Sequence, residues 1–195
     1  MKKEKDPERS GGITRIALCL FLFWTASVPM AGDNRALEPP LMPGLEFPAA
    51  AGLIETPFTV DSGTLSQSVQ TYDPSPGGRA QWRVAIPETG FYIVSASVDA
   101  PSVTENSFFI DWDKESYPVR WDIPITKGFE ERTARWPGED PRIWELTEGV
   151  HTLIIRGREP NVLIESIRVE AYKGEINAPK KQATAIRKAL ARTSN

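Results

Sequence analysis

Between Trp144 and Glu170 the chain fits three strands into 27 residues, and that density constrains the fold more than any other feature. Trp144 to Thr147 runs into Glu148-Gly149, where glycine supplies the positive φ of a tight turn. Val150 to Arg156 then alternates Val150, Thr152 and Ile154 against His151, Leu153 and Ile155. It is apolar enough on both faces for a central strand. After the corner Gly157 to Asn161, the run Val162 to Ala171 puts Ile164, Ser166 and Arg168 on one face. Leu163, Glu165, Ile167 and Val169 fall on the other. This pattern is the closing half of an antiparallel β-sandwich.

The same rhythm runs upstream. Leu53 to Val60 and Thr64 to Thr71 flank Asp61-Ser62-Gly63, a hairpin signal, and Pro57 marks its run as an edge strand or bulge. Tyr72 to Gly78 is a loop by composition. Arg79 to Ile86 sets Ala80, Trp82, Val84 and Ile86 on one face, and Phe91 to Val98 does so with Tyr92, Val94, Ala96 and Val98. Ser107 to Asp113 is a further strand. Lys114 to Asp140 is irregular, scattering Tyr117, Trp121, Phe129 and Trp136 among charges and three prolines. Eight or nine short strands with no helix among them specify an all-β, antiparallel sandwich. Periodicity alone leaves open whether it is a jelly roll or an immunoglobulin-like sandwich.

Flanking segments differ in kind. Five Lys and Arg precede the apolar run Ile16 to Ala31, the pattern of a secretory signal peptide, with retention as an N-terminal anchor the alternative. Residues 32–46 hold three prolines and read as an extended linker. Residues 173–195 form a basic tail, in which Ala183, Ile186 and Leu190 have helical spacing between Lys180 and Arg192. The domain itself, residues 47–172, is expected outside the cell: secreted, periplasmic or at the cell surface. Residues 32–172 carry 12 Lys and Arg against 22 Asp and Glu, a net −10, which argues against nucleic acid as a partner. A membrane enters only if the N-terminal segment is retained.

Chemistry is sparse. The one cysteine, Cys19, lies in the leader, so the domain has no disulfide. His151 stands alone among histidines, which excludes a zinc site of the usual kind and a Cys–His pair; it reads as a structural, hydrogen-bonded imidazole. Asp111 and Asp113, two apart on one strand, fall on the same face with Cα atoms about 7 Å apart, a spacing that permits a glycosidase pair. Solvated acids at a strand end are the simpler reading, and the chain is read as a non-enzyme. Arg158-Glu159 reads as an ion pair holding its corner.

A sugar ring offers an apolar C–H face rimmed with hydroxyls, so gripping it in water calls for a flat aromatic platform with polar neighbours. Trp112, Tyr117, Trp121 and Trp136 cluster with Asp111, Asp113, Arg120 and Asp122 and are the candidates. Trp82 and Trp144 sit in alternating strands and read as core.

Ordered short motifs carry a resemblance: Ala51-Gly52, Gly78-Arg79-Ala80 with Trp82, Pro87 to Tyr92, Asn106 to Phe109, Leu146 to Leu153, Arg158-Glu159 and Ile164 to Ile167. From Phe47 to Tyr172 the chain resembles jelly-roll, galactose-binding-like carbohydrate-binding modules of families 6 and 35. It also resembles the C-terminal domain of family 115 glycoside hydrolases. The resemblance implies the jelly roll and a glycan ligand, held at the loop end by Tyr72, by Trp121 or Trp136, and by Asn161. It also implies a structural calcium, from which this sequence departs. Pro48-Ala49-Ala50 stands where the opening acids belong, and only Glu165 remains on the last strand, so no metal and no cofactor are expected. The alternative function is a structural or adhesive β-sandwich without a sugar ligand.

Overall fold

The computed structural model describes residues 37–113, 118–135 and 140–174. The signal segment, the possible tail helix, Tyr117 and Trp136 lie outside the described residues.

Two antiparallel sheets face each other. The strands are β1 (Glu46–Pro48), β2 (Leu53–Glu55), β3 (Thr59–Asp61), β4 (Thr64–Ser66), β5 (Arg79–Ile86) and β6 (Gly90–Asp99). They continue with β7 (Ser107–Trp112), β8 (Val119–Asp122), β9 (Glu130–Thr133), β10 (Trp144–Leu146), β11 (Gly149–Gly157) and β12 (Leu163–Ala171). Sheet one runs β2-β5-β11-β7-β8. Sheet two runs β10-β6-β12-β4-β3, with β1 paired to β12 and β9 paired to β6. From β5 onward the chain passes repeatedly from one sheet to the other, as a jelly roll requires.

Twelve strands replace the expected eight or nine for three reasons. The run Leu53 to Val60 is divided, because the chain changes sheets around the cis Thr56–Pro57 peptide: β2 pairs with β5, β3 with β4. The irregular section contributes the short β8 and β9. Glu46 to Pro48, at the linker boundary, pairs with β12. Upstream of it, Met42 N–H donates to the Arg83 carbonyl and Arg83 N–H to that of Pro40, so this part of the linker lies along the edge of β5.

Alternation places the core. Ala80, Trp82, Val84 and Ile86 of β5 and Tyr92, Val94, Ala96 and Val98 of β6 are all buried between the sheets. β11 lies between β5 and β7, and its Leu153 and Ile155 join the same core; Ile154, on its other face, is also buried. Burial of each such side chain stabilises by roughly 1.5–3 kcal/mol. The β3–β4 hairpin turns through Ser62 (φ 49°) and Gly63 (φ 85°), the two positive φ values of a type I′ turn.

One face assignment is corrected. Ile164, Ile167 and Val169 are all buried, although strict alternation separates Ile164 from the other two. The register of β12 against β6 shifts between Ile164 and Ser166. A bulge inserts one extra residue and restores the apolar face beyond it.

Candidate functional site

At one end of the sandwich a set of polar contacts ties the loop 67–78 to the corner 157–161. Thr71 N–H donates to the Arg158 carbonyl (2.7 Å) and its Oγ1 to the Gly157 carbonyl (2.9 Å). Gln67 is 2% exposed. Its Oε1 accepts from Gly78 N–H and its Nε2 donates to the Val69 carbonyl. The backbones come close enough that a Cβ on Gly157 would collide with the Gln67 amide, and one on Gly77 with the Gly157 carbonyl.

A second brace holds the loop 100–106. Glu159, 6% exposed, accepts from Asn106 N–H at Oε2 and pairs with Arg158 through Oε1. The same Arg158 Nη1 donates to Ser107 Oγ. Arg158-Glu159 is thus the ion pair read from the sequence, buried and holding its corner.

On this frame sit two of the candidates. Tyr72 follows the anchored Thr71 and is 78% exposed, its ring offered to solvent. Asn161 takes φ 57°, donates its N–H to the Gln67 carbonyl and its Nδ2 to Glu105 Oε1 (2.7 Å). Asn161 is therefore partly committed to the frame. One of the two Nδ2 hydrogens is engaged by Glu105. Hydrogen bonds from Asn161 and then Ser102 hold the Glu105 carboxyl below its usual range. A depressed carboxylate keeps this contact above the ordinary carboxylate range and loses it as pH falls through the lowered value. The Asn161 side-chain amide signal should stay constant from neutral pH down to about 5 and move only in stronger acid. Movement near neutral pH would contradict the contact.

The tryptophans are corrected. Trp121 is fully buried, edge-on to Phe108, with Val119 and Ile123 beside it in the core. Trp112 is 6% exposed and also belongs to the core, its ring edge-on to His151. Neither offers a face for stacking. Both Nε1 atoms are buried without a partner, so these rings were placed by packing rather than by polar need. Trp82 and Trp144 are core, as read, and the Arg142 guanidinium lies 5.9 Å over the Trp144 ring. Burial draws the Arg142 pKa down, partly offset by Asp111.

The acid pair is corrected too. β7 ends at Trp112, and Asp113 turns to φ 55°, out of the two-residue period that would align it with Asp111. Its Oδ1 accepts from Thr152 N–H (2.7 Å) and its Oδ2 faces His151 Nδ1 (2.7 Å). Asp111 Oδ1 accepts from Trp112 N–H. His151 Nε2 lies 2.9 Å from the Thr147 carbonyl, which gives the structural imidazole that was expected.

Among the described residues no group of three or more His, Cys, Asp or Glu is arranged to hold a metal ion. Glu165 instead accepts from Ser97 Oγ. A chelator should leave the melting temperature unchanged; a drop reversed by calcium would reveal a site built from other oxygens.

Sequence reasoning missed Gln67 and Glu105. Gln67 sat in a run read as strand, and the available signal was Gly77-Gly78 opposite Gly157, glycines that mark close backbone approach.

No family model matches the chain, and no curated protein matches it. Solved structures do. The chain is similar to a family 35 carbohydrate-binding module from Clostridium thermocellum, at 14% identity and TM-score 0.49 over 70% of this chain and 100% of that one. It is similar to the C-terminal CBM6 of the laminarinase LamC from Zobellia galactanivorans, at 13% identity and TM-score 0.49 over 64% of this chain and 97% of that one. The Podospora anserina GH26-CBM35 β-(1,4)-mannanase matches at 13% identity and TM-score 0.49 over 67% of this chain, which spans only 28% of the enzyme.

Proposed function

We propose that residues 47–172 form a non-catalytic carbohydrate-binding module of an exported protein, and that it takes its glycan at the loop end carrying Tyr72 and Asn161. The observation that carries this reading is an exposed aromatic ring set directly after a buried, doubly bonded anchor, Thr71. A rigidly based aromatic loses little conformational freedom on binding, which is what a weakly held, solvated ligand requires. Asn161 Oδ1 supplies an acceptor for hydroxyl protons beside it. The engagement of Asp113 by Thr152 and His151 favours binding over hydrolysis.

Affinity electrophoresis against a panel of plant and bacterial polysaccharides tests the reading. The wild type should be retarded by at least one glycan, and Tyr72→Ala should lose about 1–3 kcal/mol of that affinity with stability unchanged. Retention unaltered by Tyr72→Ala places the glycan elsewhere. No retention on any glycan, with no release of reducing sugar, favours the structural or adhesive sandwich, for which the burial of Trp112 and Trp121 speaks.

Export belongs to the same proposal. The basic residues before Ile16 to Ala31 predict a mature chain starting between Val28 and Ala36. Intact-mass measurement of the secreted protein checks it, and an uncleaved chain in the cytosol contradicts it.

A further inference from the structure

Four loops close the end of the sandwich that carries Tyr72 and Asn161, and each passes from one sheet to the other. They are 67–78 between β4 and β5, 157–161 between β11 and β12, 100–106 between β6 and β7, and 123–129 between β8 and β9. The strands they join neighbour one another in the same order in both sheets: β4, β12, β6 and β9 in one, β5, β11, β7 and β8 in the other. The loops therefore stand side by side in a row. With neighbouring strands about 4.8 Å apart, the row is roughly 14 Å from first loop to last, the length of about three sugar rings in an extended chain.

The row is braced from loop to loop. Thr71 ties 67–78 to 157–161, and Asn161 and Glu159 tie 157–161 to Glu105 and to the Asn106 N–H. The last joint is built the same way. Ile123 N–H donates to the Asn106 carbonyl (2.7 Å), and Asn106 Nδ2 donates to that of Ile123 (2.9 Å). Thr126, 5% exposed, donates its N–H to the Ala100 carbonyl and accepts from Ala100 N–H at Oγ1 (2.7 Å). The loop 123–129 is thus fixed to the frame that holds Tyr72 and Asn161.

Exposed apolar side chains gather on this row. Among the described residues nine large ones are exposed, and five of them, Val69, Tyr72, Val103, Ile125 and Phe129, stand on these loops. Apolar residues scattered singly over a surface need no explanation, but their concentration at one braced end marks a contact surface. Short polar groups lie between them. Glu105 accepts from Asn161 Nδ2 at one carboxylate oxygen and from Ser102 Oγ at the other, so both acceptors are held in place. Apolar patches separated by fixed amide, hydroxyl and carboxylate groups match a chain of sugar rings, in which C–H faces and hydroxyls recur along the length.

We infer that the four loops form one elongated site, and that its ligand is an extended glycan chain lying across all of them rather than a single terminal sugar at Tyr72. This rests on the proposed glycan site and lengthens it. Tyr72 holds one end of the chain, Asn161 and Glu105 meet its hydroxyls in the middle, and Val103 and Ile125 carry the other end.

Calorimetric titration with cello-, xylo-, chito- and malto-oligosaccharides, from monosaccharide to hexasaccharide, tests this. Affinity within a series that binds should rise at least about tenfold from the disaccharide to the tetrasaccharide and then level off. Ile125→Ser and Val103→Ser, both at exposed positions, should each lower the tetrasaccharide affinity about fivefold, leaving the disaccharide affinity and the melting temperature unchanged. Tyr72→Ala should weaken every length. Tyr72-dependent binding that is complete with the disaccharide, or that neither serine variant weakens, overturns the elongated site and leaves the glycan site at Tyr72 standing. Binding indifferent to Tyr72→Ala, or no binding in any series, removes that site and the elongated one together.

Discussion

Trp121→Ala is expected to destabilise the sandwich by about 3–5 kcal/mol, a large part of the total stability of a domain this size. The ring is fully buried between Phe108 and the rest of the core, so truncation leaves a cavity that rigid strands on both sides cannot close. Trp121→Phe should be milder, because less buried volume is lost. It keeps an aromatic ring in place and removes an indole N–H that has no acceptor. Denaturant titration separates the two variants. A near-neutral Trp121→Ala would mean that the ring is not in the core after all, and would return it to the list of stacking platforms.

Glu159→Ala is expected to cost about 3–5 kcal/mol, from a different source. Its carboxylate is the common acceptor for Arg158 and for the backbone N–H of Asn106, and it is 6% exposed. Removing it leaves the largely buried Arg158 guanidinium without its counter-charge and the Asn106 N–H without its acceptor. Glu159→Gln should lie between wild type and Ala, because an amide oxygen still accepts from Asn106. The loss should also reach function. The corner that Arg158 and Glu159 hold carries the hydrogen bonds that anchor Thr71 and seat Asn161. In glycan titrations below the melting temperature, Glu159→Ala should therefore weaken binding without touching the ligand. A variant as stable as wild type would show that water replaces the carboxylate and that the brace is dispensable.

How much of this was legible in the sequence follows from the physics of each element. Long strands with one apolar face declared themselves: β5, β6 and β11 stand where alternation put them, and Gly149, at φ 132°, turns the chain where a glycine was needed. The bulge in β12 was not legible, because an inserted residue is invisible to a pattern that assumes a constant period. It is detectable only as the mismatch of Ile164 with Ile167. β8 was legible and missed. Val119, Trp121 and Ile123 alternate with Arg120 and Asp122, but four residues among charges and prolines read as loop, and that error turned a core tryptophan into a candidate platform. Asp113 was misplaced for the opposite reason: the period was extended one residue past the end of its strand. The loop end was legible only in part. Tyr72 and Asn161 were singled out through a family resemblance, while the frame beneath them depends on contacts between residues some 90 apart in sequence. No local pattern encodes those contacts.

The central claim is the proposal that a glycan is recognised at the end of the sandwich whose loops carry Tyr72 and Asn161. The most direct test is amide chemical-shift mapping of ¹⁵N-labelled protein with a polysaccharide fragment that retards it. The account predicts shifts confined to the loops 67–78, 100–106, 123–129 and 157–161, largest at Tyr72 and Asn161, with the amides of β9 and β10 unmoved. Shifts centred on either sheet face would contradict it.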